Sequence, residues 1–181
     1  IFDECTSGFR STFGGIHMQF GVTPDIAIFG KALGNGYAIT AVIGKAEVME
    51  AAQSTFISST FWTERIGPTA ALKTLEVMNK ITSWDIISKQ GKKIQNGWIT
   101  LAKTHDLSIS LGGIPSLCTY SFDTNDAMKY KTFVTQEMLK KGYLASTNFY
   151  ASTAHNEDNL NLYFEALNDV YILIADCEKG D

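Results

Sequence analysis

The stretch Ile26-Ala27-Ile28-Phe29-Gly30-Lys31-Ala32-Leu33-Gly34-Asn35-Gly36 constrains this chain more than any other. Four apolar residues in a row, stopped by glycine, read as a short buried strand. Lys31 then leaves that strand at its end, on a loop whose glycines admit a bulky ligand against the backbone. An amine held in a partly dry, rigid site loses proton affinity, and a neutral amine attacks carbonyl groups. The pattern points to Schiff-base chemistry. Taken alone, Lys31 reads more readily as a surface lysine on a loop. The loop is not a Walker loop, because its lysine precedes the glycines, and no GxGxxG pattern supports a nicotinamide site.

A second group stands 28 positions earlier, where Phe2-Asp3-Glu4 reads as the tail of an apolar segment ending in two acids. Pyridoxal phosphate asks for a lysine at its aldehyde and a carboxylate against its pyridinium nitrogen. Two strand ends on one edge of a parallel sheet, carrying Asp3 and Lys31, would converge on one crevice. Asp3 closing a strand-end hydrogen-bond network is the plainer alternative.

Three blocks in this order, Asp3-Glu4-Cys5-Thr6-Ser7-Gly8-Phe9-Arg10, Gly21-Val22-Thr23-Pro24-Asp25 and Phe29-Gly30-Lys31-Ala32-Leu33-Gly34-Asn35-Gly36, resemble the class III pyridoxal-phosphate aminotransferases. Within them, the chain is most similar to the glutamate-1-semialdehyde 2,1-aminomutase type. The similarity continues through Phe56 to Arg65 and into Ser152-Thr153-Ala154-His155-Asn156. It implies an α/β chain: the second half of the large domain of the PLP-dependent transferase fold type I, then a small α+β carboxy-terminal domain. It also implies Lys31 as the Schiff-base lysine, Asp3 as the pyridinium partner, and a longer enzyme whose amino-terminal region carries the phosphate turn and the ring-stacking aromatic. Trimming, proteolysis or a separate chain would each account for a start at Ile1.

The same resemblance places a threonine on the cofactor phosphate of the opposite subunit, and Thr63, five residues before Pro68, stands there. A hydroxyl near a helix start suits a phosphate. Glu64-Arg65-Ile66-Gly67 departs from the more common continuation, and the Ser58-Ser59-Thr60 cluster is the alternative contact. Glu4 either steadies the site or is a solvated neighbour. Arg10 is either a structural ion-pair residue or a binder of substrate carboxylate. His155 belongs to the lead-in of the last helix or to the core, and Phe61 and Trp62 line a substrate tunnel or pack at a subunit interface.

An apolar fraction of 45% over 181 residues supports a real core. The net charge of −4 comes without a basic stripe, which argues against nucleic acid. No apolar run reaches the roughly 20 residues of a membrane span. Cys5, Cys118 and Cys177 form no CxxC pair, and His17, His105 and His155 lack metal spacing, so reduced thiols in a cytoplasmic protein are expected.

Residues 1–80 carry the acid and lysine blocks, 81–105 a connecting helix, and 106–181 the small domain. Helices are expected from Gly67 to Met78, Trp84 to Lys103, Asp126 to Lys141 and Asn156 to about Cys177. The last shows Leu160, Tyr163, Leu167, Val170, Tyr171 and Ile174 on one stripe. Strands are expected at Leu107–Leu111, turned by Gly112-Gly113, at Leu117–Phe122 and at Tyr143–Ser146.

The resulting expectation is amino-group transfer on pyridoxal phosphate between a small-molecule amino donor and a carbonyl acceptor, by a homodimer. The freed Lys31 would move the proton at the substrate carbon. Transferase and aminomutase share every residue named. A decarboxylase or racemase on the same scaffold, and a catalytically silent fragment serving folding or dimerisation, are the alternatives.

Overall fold

Alternation sets the first sheet. In β2 (Ile26–Phe29), Ala27 and Phe29 turn inward, with Ile26 and Ile28 half-buried. β1 (Phe2–Glu4) runs parallel beside it, Asp3 opposite Ile28 and Glu4 opposite Phe29. The structure, a computed structural model, describes residues 1–180. A third strand, β3 (Ala41–Gly44), pairs antiparallel with β2, Phe29 opposite Ala41. The sequence reading passes over Ala41-Val42-Ile43, and the sheet it joins, ordered β1-β2-β3, is mixed.

A single helical turn, α1 (Ala46–Met49), follows β3, and α2 (Ile66–Ile81) supplies Ala71 to the core formed by Ala27, Phe29 and Leu33. Pro68 falls in the first turn of α2, where a missing N–H costs no intrahelical bond. Contacts divide the chain into two units, residues 1–85 and 86 onward, the division falling inside α3 (Ser83–Thr104).

In the second unit, β4 (Ile109–Ile114), β5 (Leu117–Phe122) and β6 (Asn148–Tyr150) form an antiparallel sheet. β5 alternates cleanly: Cys118, Tyr120 and Phe122 are buried while Thr119 and Ser121 face solvent. Those inward residues meet Ile94, Trp98 and Ala102 of α3, Val134 and Met138 of α4 (Ala127–Lys140), and the stripe of α5 (Glu157–Lys179). Every residue of that stripe, from Leu160 to Ile174, is buried as the 3.6-residue period requires. On α3 the buried line is Ile87, Gly91, Ile94, Trp98 and Ala102, with Ile86 and Leu101 at its margins. Trp98 Nε1 donates to the Tyr163 hydroxyl at 2.8 Å, so the indole enters the core with its polar atom satisfied. Asn156 caps α5, its side chain accepting from Asn159 N at 2.9 Å.

Two expected elements are corrected. Gly112-Gly113 is not a turn: both residues pair across to Thr119 and Cys118, and the chain reverses at Pro115-Ser116 between the paired Ile114 and Leu117. Proline cannot donate to a ladder and is better used at the reversal itself. Tyr143–Ser146 is not a strand, because the Tyr143 N–H is taken by Met138 O at 2.9 Å and that of Gly142 by Leu139 O, closing α4. Gly142, at φ +86°, makes this wrap possible. The third strand of the sheet forms later, at Asn148–Tyr150.

Gly91 is required by close approach. A Cβ there would lie 1.7 Å from the Pro115 carbonyl oxygen, a backbone atom of the hairpin. Gly91→Ala is expected to lower the unfolding free energy by about 1–3 kcal/mol, read as a lower urea midpoint at unchanged slope.

Candidate active site

The parallel pairing of β1 and β2 brings the carboxyl ends of both strands to one edge of the sheet. Successive side chains on β1 point to opposite faces, so Asp3 is exposed and Glu4 is buried at 2% exposure. Asp3 Oδ1 accepts from Cys5 N at 3.0 Å, which fixes the carboxylate at the start of the following loop.

Lys31 follows β2 after Gly30 and opens a short 3₁₀ turn, Lys31–Leu33. Its φ of +42° lies in the left-handed region, which costs a non-glycine residue about 1–3 kcal/mol and marks functional sites more often than ordinary loops. The turn is held by Leu33 N to Gly30 O at 3.0 Å and Asn35 N to Lys31 O at 3.0 Å. Leu33 is buried as its anchor. Gly36 takes φ +104°, and a Cβ on Gly34 would lie 2.1 Å from the Tyr37 carbonyl oxygen, so both glycines are needed for the loop path.

The Lys31 ammonium donates to the Thr6 hydroxyl. Between the two site ends lies Cys5, half-buried, whose thiol is pushed up by burial and by the Asp3 carboxylate while the Lys31 amine acts in the opposite direction. Both groups therefore lie within electrostatic reach of the Cys5 thiol. The dry environment expected for the amine is absent among the described residues, since Lys31 is exposed. The sheet edge delivers it to a rim, and burial there requires a covering wall.

Glu4 is neither a solvated neighbour nor part of the exposed face. It accepts from the Ser7 hydroxyl, from Ile16 N at 3.0 Å, from His17 N at 3.2 Å, and pairs with His17 Nδ1 at 2.8 Å. Burial alone would raise its pKa. The hydrogen bonds from Ser7, Ile16 and His17 outweigh that and hold the carboxyl below its ordinary range. This knot closes the loop that carries Cys5 and Thr6. Of the two readings of Glu4, the steadying one fits this knot, on the loop that borders the site; sequence reasoning missed Thr6.

Thr63 is exposed in the turn before α2, and among the described residues it makes no hydrogen bond to Lys31 or Asp3. Its neighbour Glu64 caps α2, accepting from Ile66 N at 2.6 Å and Gly67 N at 3.1 Å. The unusual Glu64-Arg65-Ile66-Gly67 continuation thus serves the helix start. In the alternative cluster, Ser59 Oγ accepts from Phe61 N at 3.3 Å. Phe61 and Trp62 stand largely exposed. Arg10 donates from Nε to the Thr6 carbonyl at 3.0 Å, a structural contact. His155 precedes α5, its Nδ1 accepting from Ser152 N at 3.1 Å and its ring lying 4.7 Å from that of Phe149, with burial lowering its pKa. No group of three His, Cys, Asp or Glu among the described residues is placed to hold a metal, and no helix is long and apolar enough to cross a membrane.

An amine and a carboxylate on one rim form a donor set suited to a cationic heterocycle bearing an aldehyde. Comparison with known proteins bears on the family and fold of the chain. Residues 1–151 match the family described as Aminotransferase class-III. The chain is 33% identical over 175 residues to 3-aminobutyryl-CoA aminotransferase of Cloacimonas acidaminovorans (strain Evry), covering 93% of this chain and 42% of that protein. Among solved structures, it superposes on the PLP internal aldimine form of the Sphingopyxis sp. MTA144 FumI protein with a TM-score of 0.89 at 23% identity, over 95% of this chain and 42% of that one. An omega-transaminase from Sphaerobacter thermophilus gives a TM-score of 0.85 at 20% identity, over 97% and 44%.

The chain belongs to the class III aminotransferases, a family whose cofactor is pyridoxal phosphate, and has the α/β architecture of fold type I. It spans less than half the length of the relatives it matches.

A carboxyl whose pKa is lower folded than unfolded stabilises the protein above its unfolded value, near 4.3 for glutamate, and loses that contribution as pH falls through the folded value. Glu4→Gln is expected to cost roughly 1–3 kcal/mol at pH 7. The gap from wild type should close as pH drops below about 4, measured by chemical unfolding across a pH series.

Proposed function

We propose that this chain is the cofactor-binding carboxy-terminal part of an aminotransferase that moves an amino group between a small-molecule donor and a separate carbonyl acceptor. The observation that carries the reading is the parallel pairing of the strand that holds Asp3 with the strand that Lys31 follows, with Cys5 in electrostatic reach of both. In this reading, residues 1–80 complete a large cofactor-binding domain, 81–105 connect, and 106–181 form the small domain.

Lys31 Nζ is the group that binds the cofactor's aldehyde and, once displaced by the substrate amine, takes and returns the proton at the substrate α-carbon. Pyridoxal phosphate, when bound, supplies a cationic ring that absorbs the electrons left at that carbon. Asp3 orients against the ring nitrogen and keeps its proton in place. Glu4 holds the loop between them, so the carboxylate and the amine keep their relative positions through both half-reactions. Thr63, exposed before α2, supplies a hydroxyl to the phosphate in the site of a second copy, which makes the working enzyme a homodimer.

Transfer between two molecules is favoured over isomerisation within one, because the relative at 33% identity is named as an aminotransferase. The free thiols Cys5, Cys118 and Cys177 suit a reducing compartment, and we place the enzyme in the cytoplasm.

Borohydride reduction of the full-length enzyme with pyridoxal phosphate, then peptide mapping, should put the label on Lys31. Lys31→Ala should lose the label and at least about 100-fold in turnover. Labelling at another lysine refutes the assignment. Conversion of glutamate semialdehyde without an external acceptor would replace the transferase reading with the aminomutase one.

A further inference from the structure

Among the described residues, the side-chain hydrogen bond of the Lys31 amine goes to the Thr6 hydroxyl. We infer that Thr6 is a positioning residue for the Lys31 amine, its hydroxyl a docking point that holds the free ammonium at the sheet edge whenever it is not bound to a ligand.

Three features of the loop make this a built arrangement. Thr6 lies two residues beyond Glu4, whose buried carboxylate gathers Ser7, Ile16 and His17 around it. The Thr6 carbonyl is held by Arg10 Nε at 3.0 Å, and Gly8 N returns to Glu4 O at 2.8 Å, so the main chain on both sides is pinned. A Cβ on Gly8 would come within 2.7 Å of both the Glu4 carbonyl oxygen and the Phe29 ring, so the loop is pressed against β2 itself. On the opposite side, the left-handed backbone at Lys31 fixes the direction in which its side chain leaves. Two rigid supports thus face each other, and the hydroxyl meets the ammonium between them.

A lysine side chain carries much rotamer freedom, and an exposed amine would otherwise sweep a wide volume. Docking on a hydroxyl restricts that sweep, and among the described residues no carboxylate forms an ion pair with the amine. A carboxylate at this place would form an ion pair and hold the proton; a hydroxyl accepts one N–H and releases it readily. The arrangement suits an amine that must be near its target and must also give up a proton.

The inference rests on Lys31 being the reactive lysine, and the test separates the two. In full-length cofactor-free enzyme, acetic anhydride labelling of Lys31 is followed by mass spectrometry, with the exposed Lys73 as internal reference. Thr6→Val should raise the Lys31 labelling rate relative to Lys73 by about 3- to 10-fold, and Thr6→Ser should restore the wild-type ratio. Both variants keep the Thr6 carbonyl and so the Arg10 contact, and a matching melting temperature confirms the fold. In the loaded enzyme, Thr6→Val should lower kcat with KM unchanged. A Lys31 labelling ratio unchanged in Thr6→Val, or a serine variant that behaves like valine, overturns the docking contact. Borohydride label on a different lysine would instead refute the catalytic assignment and leave the labelling result for Thr6 standing.

Discussion

The pairing of β1 with β2 in parallel is the constraint on which the rest of the first unit depends. Parallel strands share a direction, so whatever follows each of them leaves from the same edge of the sheet. Asp3 stands in the middle of one strand and Lys31 just past the other, and the shared direction alone gathers an acid and an amine that lie 28 residues apart. An antiparallel pairing of the same two segments would send them to opposite edges. β3 lies on the far side of β2, antiparallel, and leaves the Asp3–Lys31 edge unchanged.

The loop after β1 is organised around a charge that has nowhere to go. Glu4 points inward because Asp3 points outward, and a buried carboxylate is tolerated only when its oxygens are satisfied. Ser7, Ile16 and His17 meet that demand, and in meeting it they fold residues 5–17 back onto the strand. The two acids of one dipeptide thereby differ in their surroundings: Asp3 is exposed, and Glu4 fixes the loop that follows. The Phe9 ring, 5.3 Å from that of Phe29, joins the same loop to the core beneath Lys31.

The second unit shows a different economy, in which aromatic burial dominates. Trp98, Tyr120, Phe122, Tyr163 and Tyr171 share one core, with ring centroids as close as 4.7 Å between Trp98 and Tyr120. Its phenols are pushed well above their ordinary range by burial, so they stay neutral across all working pH values. Burial pushes the Cys118 thiol of the same core up to about 11, so near neutral pH stability there is expected to depend on volume rather than on charge.

The chemical pattern was legible from the chain because it is local: an apolar run, a glycine and a lysine; an acidic pair closing a strand; a 3.6-residue stripe from Leu160 to Ile174. Local spacing also announced the long helices and the strand Leu117–Phe122. What it did not announce was every feature set by distant partners. The reversal falls at Pro115-Ser116 rather than Gly112-Gly113 because those glycines pair with Thr119 and Cys118 of β5, and Tyr143 is outside the sheet because α4 takes its N–H. The inward Glu4, the hydroxyl that receives Lys31 and the exposure of that lysine likewise came from the packing of residues far apart in the chain. Sequence by itself marked the candidate residues for the proposed chemistry. The tertiary structure decided their surroundings, since burial and hydrogen-bond partnership are properties of neighbours in space.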